Sequence, residues 1–235
     1  MKYQNFQTCN NCGKENPLYA NKCENCHHYV RANIVNIDLW STIWKLFESP
    51  VEALKNIIYA QHKNFVIFLT IFVSIKFLLI SSFLQSLTDD SVITSKSFIY
   101  NTLLHSAIYI AFFLVFSFIL NLMLKKFGKS RFKDSYSVTI FSFIPLILSL
   151  FFLTPIEYGI FGKHWFIFNP SPFLIKEIPA YIVTFLELIL IIWSLIIFWK
   201  GLRLQSGSVL FSLIMLFAFL IPLYFIMTFI SYILI

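Results

Sequence analysis

A chain of 235 residues that is 58% hydrophobic and 19% aromatic but only 12% charged is not a soluble domain, whose surface demands more polar cover than this. The formal net charge of +7 would point to nucleic acid in a soluble protein. Here the basic residues fall in short stretches beside apolar runs, so membrane topology accounts for them more simply.

The first 30 residues are polar and hold all four cysteines, as Cys9-Asn10-Asn11-Cys12-Gly13 and Cys23-Glu24-Asn25-Cys26-His27. Cysteines confined to one head argue against a disulfide framework and for a metal site in a reducing compartment. Two C-x-x-C pairs about ten residues apart match a zinc ribbon, each pair folding into a knuckle that offers two thiolates to one structural Zn2+. The ligands expected are Cys9, Cys12, Cys23 and Cys26; His27 or His28 replacing a cysteine is the minor alternative, and a redox dithiol is the competing chemistry. Gly13 follows the first pair, where a left-handed turn favours glycine. So small a module has almost no apolar core and needs the metal to fold. It lacks a basic stripe with interleaved aromatics, so a protein partner is expected and nucleic acid is not.

Residues 31–63 read as a linker followed by amphipathic helices. Asp38 or Ser41 is placed to cap the first, and Pro50 to open the second. Trp40 and Trp44 on one face, with Lys45 and Lys55 elsewhere, suit a helix lying at the membrane interface; packing against the ends of the spans is the equal alternative. No secretory signal precedes the first apolar run, which starts near Phe65.

Residues 64–235 carry apolar segments of membrane length at about 65–84, 101–124, 136–153, 179–199 and 209–234. The third contains Pro145 and the fifth Pro222, kinks that neighbouring helices tolerate. The expected fold is an all-α polytopic membrane protein with five transmembrane helices behind a small zinc ribbon. The basic stretch Lys125, Lys126, Lys129, Arg131 and Lys133 between the second and third segments marks a cytoplasmic loop. Lys63, Lys200 and Arg203 fall on the same side; Asp89, Asp90 and Lys96, then Glu157, Lys163, Lys176 and Glu177, fall on the other. The N-terminus is thus expected inside and the C-terminus outside, with the thiolates in the reducing cytosol.

Lys76 and Glu187 are the ionisable residues expected near mid-span. Lys76 lies roughly 16 Å into one helix and Glu187 roughly 12 Å into an oppositely running one, at similar depth in a core of about 30 Å. An unpaired charge there costs several kcal/mol, so the two are expected to form an ion pair. A static or neutral pair is favoured over a proton or ion relay, which would show further polar partners. His105 and Asn121 read as boundary residues. No nucleophile–base set, phosphate loop or HExxH motif is present, so a catalytic role is not expected.

The ribbon, with its Cys-x-x-Cys-Gly opening and Asn16-Pro17 turn, resembles short ribbons at the N-termini of many prokaryotic membrane proteins. Abundant Ile, Phe, Lys and Asn also fit a prokaryotic source and its cell membrane. From residue 40 to 235 the chain resembles the Yip family, the Ypt/Rab-interacting membrane proteins and their prokaryotic relatives. The resemblance is carried by Gly128-Lys129-Ser130-Arg131-Phe132-Lys133-Asp134 with Tyr136 and by Ser142-Phe143-Ile144-Pro145. Trp193-Ser194, Trp199-Lys200-Gly201-Leu202 and Ser49-Pro50-Val51-Glu52-Ala53-Leu54 add to it. The resemblance implies a non-catalytic membrane-organising or adaptor protein in contact with lipid and an unidentified cytoplasmic protein, compatible with a homo- or hetero-oligomer. Eukaryotic members bind prenylated Rab GTPases and carry Asp-Leu-Tyr-Gly-Pro before the first span. Here Asp38-Leu39-Trp40 is followed by Ser41-Thr42, so Rab binding does not carry over. The rival function is a transporter or ion-conducting protein using Lys76 and Glu187; an enzyme acting on lipid is a distant third.

Overall fold

The computed structural model describes residues 6–31, 35–86, 95–167 and 170–233. Two short strands, β1 (Phe6–Thr8) and β2 (Glu15–Pro17), form an antiparallel hairpin with Gln7 opposite Asn16. The rest is helical: α1 (Leu39–Glu48), α2 (Pro50–Tyr59), α3 (Val66–Ser86), α4 (Ser95–Leu124), α5 (Phe132–Ser142), α6 (Ile144–Phe161), α7 (His164–Ile167), α8 (Pro172–Ile175), α9 (Glu177–Ser206) and α10 (Val209–Ile233). Five helical segments are long and apolar enough to cross a membrane: α3, α4, the joined pair α5–α6, α9 and α10. The chain is an all-α polytopic membrane protein preceded by a cysteine cluster.

Local chemistry sets several boundaries. The Asp38 side chain caps α1 by accepting from the Trp40 and Ser41 amides, satisfying donors the helix leaves open. Pro50 occupies the start of α2, where its missing N–H is no loss. The two helices then part in character. α2 buries Ala53, Leu54, Ile57 and Ile58, whereas α1 buries Leu46 alone and leaves Trp40 79% and Trp44 67% exposed. Burial of each large aliphatic side chain on α2 is worth on the order of 1.5–3 kcal/mol.

The third span departs from expectation in three ways. It runs from Phe132 to Phe161 rather than from about 136 to 153. It is interrupted at Phe143, so Pro145 sits in the first turn of α6 and its missing N–H breaks no helical bond. Its C-terminal part passes through Pro155 without ending, so Glu157 belongs to a helix and not to an outer loop. This span is the most enclosed, with 67% of its apolar window buried against 22% for α9 or α10. Enclosure lets it carry buried Ser135, Ser137, Thr139, Ser142 and Ser149. Three of these hydroxyls donate to the carbonyl four residues back, at 2.6 Å for Ser137, 2.9 Å for Thr139 and 2.7 Å for Ser142.

The fourth span also runs further than expected, so Lys200 and Arg203 lie within α9, and only Gly207 and Ser208 separate it from α10. Asp89 and Asp90 lie outside the described residues, and Lys96 falls in the first turn of α4 rather than in a loop.

The chain forms two compact units. The first comprises Met1–Ile67, Phe113–Ser142 and Ile196–Phe217, and the second Phe68–Phe112, Phe143–Leu195 and Ala218–Ile235. In the first, α9 approaches α5 and α2 at Gly201, where a Cβ would stand 2.5 Å from Val138 Cγ1. Small residues permit such approach between membrane helices. In the second, Phe161, Trp165, Ala180 and Val183 form a buried cluster joined by Phe83 and Phe166. Phe77 and Phe219 pack on Phe143 with ring centres 5.3 and 5.5 Å away.

Candidate metal centre and intramembrane polar cluster

In the head, the Cys9 and Cys23 carbonyls accept from the amides of Gly13 at 2.9 Å and His27 at 3.0 Å, closing the two knuckles. Both donor residues are left-handed, with φ of 70° at Gly13 and 54° at His27. Glycine adopts that conformation freely; histidine does so at a cost. The knuckles bring the Sγ atoms of Cys9, Cys12, Cys23 and Cys26 within 4.8 Å of one another. Cys9–Cys26 and Cys12–Cys23 each stand 3.6 Å apart. That is far beyond a disulfide bond. It is near the edge of about 3.8 Å expected for a tetrahedron of thiolates at 2.3 Å from one ion. The Asn25 amide and the Asn16 side chain point at Cys23 Sγ from 3.4 and 3.5 Å, as donors do around a metal thiolate. The four cysteines can therefore hold a metal ion. His27 and His28 are exposed and stand outside this sulfur group. Cys9, Cys23 and Val30 form a buried apolar cluster in the head, so two of the four cysteines are themselves part of what packs.

The head does not hang free within its unit. Lys129 Nζ contacts Glu24 Oε2 at 2.6 Å, and this hydrogen bond holds the Glu24 carboxyl below its usual range and Lys129 above its own. The Arg131 guanidinium lies 4.0 Å from the Tyr19 ring centre, and Arg31 lies 4.2 Å from that of Tyr59. Arg31 also donates to Asn21 Oδ1 at 2.6 Å.

Beneath these contacts is a network that no local motif reveals. Asp134, buried at the start of α5, accepts from Arg131 Nε at 2.7 Å and Nη2 at 3.0 Å, and faces Lys63 Nζ at 2.8 Å. Lys63 in turn donates to the Ile57 and Ile58 carbonyls, so a cation meets the C-terminal end of α2. Lys133 donates to the Gln61 carbonyl at 3.0 Å, while Lys125 and Lys126 are exposed. Of the five basic residues in this segment, three are thus engaged in structure.

In the second unit, Lys76 Nζ stands 2.5 Å from Glu187 Oε1 and 3.3 Å from Thr154 Oγ1. Ser149 donates to the same Glu187 oxygen. Glu157, expected outside the membrane, is instead 2% exposed within α6 and faces this pair. Lys76, Leu79, Ile80, Phe83 and Leu84 form one stripe of α3, and Thr184, Glu187, Leu188 and Ile191 one stripe of α9. With Glu157, Trp165 and Phe166 they line a cavity of about 190 Å3. Glu157 Oε1 and Glu187 Oε2 are buried without a hydrogen-bond partner among the described residues. The signal for Glu157 was the i, i+3 relation to Thr154, hidden because Thr154-Pro155 ends the apolar run. His105 and Asn121, expected at boundaries, are both buried in α4.

No protein-family model, curated protein or solved structure matches the chain.

Proposed function

We propose that the chain is a non-catalytic membrane adaptor of the Yip type whose metal-bound ribbon, held at the cytoplasmic face, presents a binding surface to a protein partner. The observation that carries this reading is the four-cysteine cluster fastened to the basic segment through Glu24–Lys129 and Tyr19–Arg131. A metal module ordered by one ion pair and one stacked guanidinium is built to be presented, not tethered loosely. Four thiolates favour Zn2+ as a structural ion, which here would lock the knuckles and leave no open coordination position. The exposed Trp40 and Trp44 of α1 favour an interfacial seat in the headgroup region. Odd span number with an inward N-terminus sends the C-terminus outside, in a prokaryotic cell membrane.

Metal analysis of the purified chain should return one zinc per polypeptide. Photo-crosslinking from exposed Asn11 in intact cells should capture a discrete protein, and the Cys9→Ser, Cys12→Ser variant should lose it. Capture that survives loss of both thiols would sink the reading.

The second reading is ion or proton passage, favoured by Glu157 beside Lys76 and Glu187. A relay needs more than one fixed pair, and this third group supplies one. Proteoliposome flux that depends on Glu187 would support it; absence of flux would remove it.

A further inference from the structure

Among the described residues, the cavity beside Lys76 is lined by two carboxyls and one ammonium. Lys76 is matched by Glu187, with which it shares a direct contact supported by Ser149 and Thr154. Glu157 adds a second carboxyl, and among the described residues no second cation lines the cavity. One oxygen of each carboxyl is buried without a hydrogen-bond partner among the described residues, and both residues border the same space. An acceptor pair of this kind in a half-open apolar pocket is suited to a donor bearing positive charge.

The remaining walls say what should be attached to that charge. Phe83, Trp165 and Phe166 present aromatic surface, and Leu79 and Ile80 aliphatic surface. Aromatic faces near carboxylates suit an organic cation rather than a hydrated metal ion. The half-open volume of about 190 Å3 is larger than a sealed apolar cavity of about 150 Å3 known to take benzene. It therefore admits a six-carbon ring or branched alkyl group with one further carbon.

We propose that Glu157 and Glu187 bind the ammonium group of a small apolar primary amine, whose hydrocarbon part packs against Phe83, Trp165 and Phe166. Glu157 Oε1 and Glu187 Oε2 accept from the ammonium, and the Lys76–Glu187 contact persists. The proposal rests on neither reading of function given above, since it requires binding and not passage, and it makes no use of the ribbon.

The test uses the full chain in phosphatidylcholine nanodiscs with 4-fluorobenzylammonium as probe, followed by fluorine NMR and corrected with empty nanodiscs. Saturable binding is expected, and the neutral isostere 4-fluorobenzyl alcohol should bind at least about tenfold more weakly, the loss of one charge-assisted contact. Glu157→Gln should weaken the ammonium by a similar factor while leaving the alcohol unchanged. The alcohol comparison needs no variant, so misfolding of Glu157→Gln cannot rescue the proposal. Ile80→Trp, which fills the cavity, should abolish binding of both. Equal binding of amine and alcohol, no saturable binding, or full affinity in Glu157→Gln would each overturn it; the second outcome would leave Glu157 holding a proton only. Repetition with phosphatidylethanolamine assigns the source: unchanged affinity points to a free amine, and competition to the lipid's own ammonium at the same site.

Discussion

Replacing Asp134 by Asn tests the network under the ribbon. Asp134 and Lys63 have side chains only 6% exposed, and Arg131 adds two hydrogen bonds to the same carboxylate. Asparagine keeps the shape but leaves two cations facing a neutral amide. Breaking a buried pair from one side typically costs about 3–5 kcal/mol. The pH dependence follows from Lys63, whose pKa burial depresses to about 8, with Asp134 opposing the shift. An unfolded lysine titrates near 10.4. Between these values the unfolded chain binds the extra proton, so stability rises with pH as Lys63 discharges in the fold. Without Asp134 the folded pKa drops further, and the variant recovers over a wider interval than the parent. One pH unit of such recovery is worth about 1.4 kcal/mol. The deficit of Asp134→Asn should therefore be about 3–5 kcal/mol at pH 7 and smaller by roughly 1 kcal/mol at pH 9. Reversible denaturation in detergent micelles, followed by tryptophan fluorescence at both pH values, measures it. Lys63→Met combined with Asp134→Leu should be milder than Asp134→Asn alone, because it removes one stranded charge. A deficit under about 1 kcal/mol at pH 7, or one that grows with pH, would refute the argument.

Gly201→Ala should destabilise by about 1–3 kcal/mol, because the new methyl would meet Val138 Cγ1 at 2.5 Å; Val138→Ala should restore most of the loss, and thermal unfolding of both reports it. Lys76→Glu or Glu187→Lys alone should prevent stable expression, while the double exchange should recover a folded chain, as size-exclusion profiles would show; a harmless single reversal would contradict the 2.5 Å pairing. A strong chelator should unfold the head and expose all four thiols to labelling, while circular dichroism retains the helical signal of the spans.

What was legible in the sequence depended on how local its cause is. The knuckles could be read because two cysteines three positions apart and a following turn residue determine each one within five residues. The spans could be read because lipid admits only long apolar helices, so hydropathy alone finds them. Lys76 and Glu187 were found by counting rise per residue from span ends. Glu157 escaped because Thr154, Pro155 and Gly159 look like the end of a span, and only enclosure by other helices carries α6 through them to Phe161. Asp134 escaped for a different reason. A count of loop charges registers its sign but not that Lys63, 71 positions earlier, and Arg131 both reach it. Amphipathic pattern likewise marked α1 and α2 alike, yet one exposes its tryptophans and the other is buried, a difference set by what lies opposite.

The third span joins these points. On the lipid-facing side of a helix a hydroxyl or carboxyl stays unsatisfied, at several kcal/mol each, so such groups are confined to its packed stripe, as Glu187 is on α9. α9 and α10, with 22% of their windows buried, accordingly spend most of their length on aliphatic and aromatic residues. The third span, at 67%, can carry polarity, and it holds a buried acidic residue near each end, Asp134 on α5 and Glu157 on α6. The interruption at Phe143 divides the roles: α5 belongs to the first compact unit and α6 to the second. Asp134 is fully occupied by Lys63 and Arg131, as a structural acid should be, whereas Glu157 keeps a buried oxygen without a partner among the described residues. That asymmetry is the physical reason to assign architecture to the first and ligand binding to the second.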